Sequence, residues 1–265
     1  MTSYVVQRNG REATAEELAP LAFAGFAHMT AMQVRDGGVR GLDLHLERLR
    51  TASLAMFGQA LPDDQVRSYL RTAVGGSPSD HSLLANVFSG AGEFTAADRP
   101  LNVLVRTSPA TSGPTGPLSL AAVEHERMLP ELKHVGEVAK TYYLRQAVAR
   151  GFDDAAFVDR RGRFSEASIW NLAFWDGEAV VWPEAEMLGG ITMTILRRQL
   201  EQLGVPQRTA EITPDGLPDL AGAVVMNSWT PGVAVHRIDT TPITAAPEFV
   251  ELLHEAYAAE PLVAP

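Results

Sequence analysis

The sequence predicts an α/β (α+β) protein built as two layered units. Two observations lead there. Alternating or continuous apolar strand patterns are interleaved with segments of helical spacing along the whole chain. One stretch, "TSPATSGPTGPLS" from Thr107 to Ser119, is rich in Pro, Gly, Ser and Thr and reads as a linker, each flank having strands and helices of its own. The expected boundaries are 1–107, a linker at 108–117 and 118–265. A chain of 265 residues is long enough for two modest cores.

In the first unit, "AHMTAMQVRDGGVRGL" reads as two strands joined at Asp36-Gly37-Gly38. Asp43 is expected to cap a helix that carries Leu46, Leu49 and Phe57 and stops at Gly58. Asp63 to Val74 repeats the scheme, with Val66, Leu70 and Val74 as the inward stripe and Gly75 as the stop. "LLANVFS" and "LNVLVRT" are further strands. In the second unit, "LSLAAVEHE" is a strand and Glu137 to Arg150 a helix. "AAFVD", the segment around Leu172, "AVVW" and "AVVMNS" are strands, and Thr192–Leu203 and Phe249–Tyr257 are helices. Asp153-Asp154 is expected in a helix-to-strand turn.

Composition narrows the function. Hydrophobic residues make up 46% and charged residues 20%, as in a globular protein, and no apolar run approaches a membrane span. The N-terminus lacks the basic-then-apolar pattern of a signal peptide. With no cysteine, disulfides, thiolate catalysis and Cys-based zinc sites are excluded, and a cytoplasmic location fits. A formal net charge of −10 gives no general attraction to nucleic acid, so an anionic ligand would need positive charge gathered locally. There is no His-Glu-x-x-His, no Gly-x-Ser-x-Gly and no P-loop, and the seven histidines are scattered, so no metal site is expected.

Two lysines in "LPELKHVGEVAKTYYLRQAVARG" invite comparison. On a helix from Glu137 to Arg150, Val138, Tyr142 and Ala149 share one face, and Lys140 lies on the opposite side. Lys140 is therefore expected to be solvated, paired weakly with Glu137. Lys133 follows a strand and precedes a helix, where α/β proteins place chemistry. Downstream, "GRFSEASIWN" holds Glu166 in a largely apolar context, and "LGGITM" enters a helix. Gly189-Gly190 before Ile191 and Thr192 can hold a phosphate, because free N–H groups and the helix dipole favour an anion; a plain helix-capping turn is the alternative.

Together these motifs resemble the class IV aminotransferases, the fold-type IV pyridoxal-phosphate enzymes. That family includes branched-chain, D-amino acid and R-amine transaminases and aminodeoxychorismate lyase. The resemblance covers nearly the whole chain. It rests on "HLERL" (His45–Leu49), Lys133 eighteen residues before Gly151, "EASIWN" (Glu166–Asn171) and "LGGIT" (Leu188–Thr192), in that order. It implies a small N-terminal α/β sandwich, a larger C-terminal α/β barrel-like domain and a homodimer. It also implies pyridoxal 5'-phosphate between the domains, a small-molecule amino donor and a keto-acid acceptor. Lys133 would form the Schiff base and move the substrate proton, and Glu166 would face the pyridine nitrogen. Arg48 would bind the phosphate, as would Ile191 and Thr192 through their amides, the Thr192 hydroxyl, and Ser228. The chain departs from the family pattern in "AGFAHMTAMQV" (Ala24–Val34), where the acidic and aromatic residues are missing and Met29 and Thr30 occupy places usually filled by Tyr or Phe and then Glu or Thr, and at Ala167 and Met193. Thr30 points slightly toward the lyase. A cofactor-binding relative with little catalysis is a further alternative.

Overall fold

The computed structural model describes residues 4–23, 25–92, 94–97 and 99–265. Ala24, at the edge of the divergent "AGFAHMTAMQV" stretch, lies outside the described residues, as do the first three residues of the chain. The chain divides into two compact units. One is Met1–Thr111 with Leu132–Gly136 and Pro261–Pro265, and the other is Ser112–Glu131 with Glu137–Glu260.

The first unit opens with β1 (Val6–Arg8) and β2 (Arg11–Glu12), followed by α1 (Ala15–Phe23). The hairpin turns at Asn9 and Gly10, both at positive φ, the Asn-Gly geometry that suits the right-handed twist of paired strands. β3 (Ala27–Arg35) and β4 (Gly38–Arg40) turn the same way at Asp36-Gly37. α2 (Leu42–Phe57) and α3 (Asp63–Gly75) follow, then β5 (His81–Ser89) and β6 (Leu101–Pro109). Among the described residues the sheet runs from the C-terminal strand Leu262–Val263 through β4, β3, β5, β6 and β1 to β2. β3 alternates as its period of two requires: Met32 and Val34 are buried against Leu46 and Leu49 of α2 and Val66 and Leu70 of α3. Gly41 caps α2 in the left-handed region, so Asp43 falls in the first turn, where its charge suits the helix dipole, and not at the cap. α3 includes Gly75, the residue expected to stop it, and is capped by Gly76, with Ala73 in place of Val74 as the third buried position.

The segment Leu132–Gly136 covers the open edge of β3. Met29 N–H donates to the Lys133 carbonyl (2.8 Å), Val135 N–H to the Ala27 carbonyl (3.0 Å), and His28 pairs with His134. β4 reaches only Val34 and Arg35, so the first residues of β3 would otherwise show unpaired backbone.

The second unit comprises β7 (Leu118–Glu124), α4 (Val138–Ala149), β8 (Asp154–Val158), β9 (Phe164–Ala167), β10 (Asn171–Trp175), β11 (Val180–Pro183) and α5 (Ile191–Gln202). Then come β12 (Gln207–Ala210), β13 (Gly222–Asn227), β14 (Thr230–Ile238), β15 (Thr241–Pro242) and α6 (Pro247–Ala259). The order β10-β13-β14-β7-β8-β9 closes on itself, because β9 also pairs with β10. The closing pair is Glu166 with Asn171. The interior of this barrel is apolar, with Leu120, Phe164, Leu172, Phe174 and Val225 fully buried. α5 and α6 cover Trp182, Val224 and Met226 outside it, and α4 lies over Ala121, Ala155 and Phe157. Among the described residues no helix is long and apolar enough to cross a membrane.

Candidate active site

Glu166 sits in β9, 3% exposed. A carboxylate that deep must be paired, since stripping it of water costs several kcal/mol. Its Oε2 lies 2.9 Å from Lys140 Nζ, and its Oε1 lies 3.7 Å from the Arg127 guanidinium. Arg127 also reaches Glu137, at 3.1 Å. Oε1 makes no hydrogen bond with any described residue. A buried acceptor left in that condition is expensive, and a donor from a ligand would complete it.

Lys140 is therefore not the solvated residue expected from the helical wheel. It is 7% exposed, while Val138 and Tyr142, assigned inward by their bulk, are 83% and 57% exposed. α4 packs on the barrel through small and aliphatic surface: Ala147 is fully buried, and Lys140, seven residues earlier, lies over the Phe157 ring with Nζ 5.9 Å from its centroid. Burial lowers the Lys140 pKa and the Glu166 charge opposes that shift, so its amine gives up a proton more readily than a surface lysine.

Asn171, the barrel-closing partner of Glu166, fixes the next feature. Its Nδ2 donates to the Leu188 carbonyl (2.7 Å). Its Oδ1 lies where a side chain at residue 190 would begin: a Cβ on Gly190 would stand 1.9 Å from it. Gly190 caps α5, whose first intrahelical bond runs from Thr194 N–H to the Gly190 carbonyl (2.9 Å). The amides of Ile191, Thr192 and Met193 thus have no intrahelical acceptor, and the helix dipole favours an anion beside them. The Thr192 hydroxyl, expected to serve such an anion, instead donates to the Asn227 carbonyl (2.8 Å), which uses its one proton. That bond ties the start of α5 to the β13–β14 turn, where Ser228 is half-buried. Glu166, Asn171, the Gly189-Gly190 turn and Ser228 are thus linked in one unit.

Asp154 braces the same hairpin from below. It begins β8 instead of lying in the preceding turn, it is buried, and it accepts from Trp170 Nε1 (2.9 Å) and Ala155 N–H (2.6 Å). Burial raises its pKa, and the hydrogen bonds oppose the rise. Sequence inspection missed Asp154, Arg127 and Lys140 as parts of the site. Asp154 and Lys140 offered a signal, as charged residues in strand- and helix-forming stretches; Arg127, at the end of the charged run "EHER", offered none.

Arg48 and Lys133 belong to the first unit. Arg48 is half-buried on α2, and its charge helps to depress the pKa of buried His45, though burial is the larger cause. Lys133 is half-buried, its carbonyl committed to Met29. The Thr30 hydroxyl is buried and bonded to His45 Nδ1 (2.6 Å).

A family model described as Amino-transferase class IV matches residues 27–238. The chain belongs to the class IV aminotransferase family. No curated protein matches it closely enough to add to this. Among solved structures, this class IV chain is similar to the T.th. branched-chain amino acid aminotransferase with pyridoxamine 5'-phosphate. The TM-score is 0.81 at 20% identity, over 97% of this chain and 93% of that one. The Escherichia coli branched-chain amino acid aminotransferase gives 0.84 at 15% identity, over 98% and 95%. A putative 4-amino-4-deoxychorismate lyase from Legionella pneumophila gives 0.77 at 19%, over 86% and 89%. At these identities the likeness establishes the fold-type IV architecture, with the closed sheet as its barrel-like part.

Proposed function

We propose that this class IV protein is a pyridoxal-phosphate-dependent transaminase, moving an amino group between an amino acid or amine and a keto acid. The observation that carries the proposal is Glu166: a buried carboxylate, held by Lys140 through one oxygen, with the other lacking a hydrogen-bond donor. A protonated ring nitrogen is the donor that would complete it. The free amides at the start of α5 fit the cofactor's phosphate, because a helix N-terminus binds anions through N–H groups and dipole together. Bound there, pyridoxal phosphate supplies an aldehyde that accepts the amine and a ring that withdraws electrons from the substrate carbon.

The chain's own residues then divide the work. Lys133 would be the amine that holds the cofactor, and would move the proton at the substrate α-carbon. Glu166 Oε1 would accept from the ring nitrogen and keep it protonated. Arg48, the Ile191 and Thr192 amides and Ser228 hold the phosphate. Lys140 is a poor candidate for attachment, because its ammonium is committed at 2.9 Å to Glu166, the carboxylate that would face the ring nitrogen. A homodimer is part of the proposal, supported by the apolar outer face of α4, where Val138, Tyr142 and Val148 are exposed.

The test is a panel of D-amino acids, branched L-amino acids and R-amines, each with pyruvate or 2-oxoglutarate. Amine transfer that requires the keto acid supports the transaminase. Pyruvate released from aminodeoxychorismate with no keto acid present would make it a lyase. No turnover with any donor, by protein that retains the cofactor, would leave it a binding relative.

A further inference from the structure

Burying a lysine is costly, and α4 offers an alternative on every side: its other cationic side chain, Arg145, is exposed, and the barrel below needs only small apolar surface there, as Ala147 shows. Lys140 nonetheless points inward and meets a single oxygen of Glu166. The flanking groups explain what that contact prevents. Arg127 stands 3.7 Å from the other oxygen, beyond hydrogen-bond distance, and is drawn away by Glu137 at 3.1 Å. A carboxylate without Lys140 would be free to rotate toward Arg127 and close its open oxygen with a bidentate pair, the geometry a guanidinium prefers.

Resting on the pyridoxal-phosphate reading above, we propose that Lys140 is a positioning residue: it pins Glu166 through Oε2 so that Oε1 remains available to the cofactor's ring nitrogen. Lys140 touches neither substrate nor reacting atoms and acts through Glu166 alone. The charges around it are balanced for that role. Lys140 and Arg127 face Glu166 and Glu137, with His125 close by and shifted toward its neutral form by burial.

The test is a double-mutant cycle read as pyridoxal-phosphate affinity, independent of turnover. Wild type, Lys140→Met, Lys140→Arg, Glu166→Gln and the Lys140→Met/Glu166→Gln double variant are titrated with pyridoxal phosphate and followed by absorbance. Lys140→Met is expected to weaken binding at least about fivefold in the wild-type background and to have little effect once Glu166 is replaced, a coupling typical of residues in contact. Lys140→Arg, which keeps the charge, is expected to restore most of the affinity. If Lys140→Met does not fold, Lys140→Gln takes its place in the cycle. An equal loss in both backgrounds would assign Lys140 a merely structural role and overturn the proposal, as would no loss in either, or a borohydride-trapped adduct on Lys140 itself. Wild type that binds no pyridoxal phosphate would refute the functional reading, and the proposal would fall with it.

Discussion

Glu166→Gln is the substitution whose cost can be worked from the structure. It keeps the side-chain shape and removes the charge that two buried cations share. At an effective dielectric constant of about 20, the Lys140 contact at 2.9 Å is worth roughly 6 kcal/mol of gross attraction and the Arg127 contact at 3.7 Å roughly 4–5 kcal/mol. Most of this is offset. Arg127 retains Glu137 at 3.1 Å, the glutamine oxygen can still accept one hydrogen bond, and Lys140 can shed its proton. A net loss of about 3 kcal/mol is expected, at the lower end of the range for breaking a buried pair by deleting one partner. The loss is expected to shrink as pH rises, because a neutral Lys140 no longer needs the carboxylate. Urea unfolding of the cofactor-free protein at several pH values measures it. A change below about 0.5 kcal/mol, the scale of an ordinary surface substitution, would refute the ion-pair account. In the loaded enzyme the same change is expected to cut turnover about 10²–10³-fold, as for loss of one electrostatic stabiliser.

Gly190→Ala drives a Cβ to 1.9 Å from Asn171 Oδ1, so the turn must open; a loss of about 1–3 kcal/mol in stability, together with weaker cofactor retention, is expected from urea melts and dialysis. Arg48→Ala is expected to weaken cofactor retention first and leave turnover at saturating pyridoxal phosphate much less affected, checked by comparing dialysed and resupplied protein. Burial lowers His28 to a pKa of about 4 and His45 to about 3, both from 6.5. The unfolded chain therefore takes up these protons before the folded one does. Their contribution to stability is complete above pH 6.5 and is lost as pH falls toward 4, by up to about 1.4 kcal/mol per pH unit for each histidine. Urea midpoints between pH 7 and pH 4 measure this slope, and it is expected to flatten in a His28→Gln/His45→Gln variant.

The strands of the first unit were legible because they are half-buried, and β3 and β5 show the alternation that a one-sided sheet requires. The β1–β2 hairpin was missed although Asn9-Gly10 is the strongest short hairpin signal a sequence offers; its strands are too short to show a period. β14 was not foreseen: Pro231 and Gly232 at its start carry a turn signal, although Val233 and Val235 face the barrel core. The spacing of "EASIWN" and "LGGIT" was visible in the sequence; what links them was not, because it depends on Asn171 both closing the barrel and filling the space beside Gly190. α4 misled for a physical reason. A helix that packs through Ala147 and the stem of a lysine leaves its bulkier Val138 and Tyr142 outside, so ranking faces by hydrophobicity selects the wrong one. That inversion turned Lys140 from a surface charge into the partner of Glu166.

The most direct test of the central claim is to reduce the purified, cofactor-loaded protein with borohydride, digest it and locate the pyridoxyl adduct by mass spectrometry. The expected result is a single adduct on Lys133, abolished in Lys133→Ala and still formed at saturating pyridoxal phosphate in Lys140→Ala. The absence of any adduct, or an adduct on Lys140, would contradict the account.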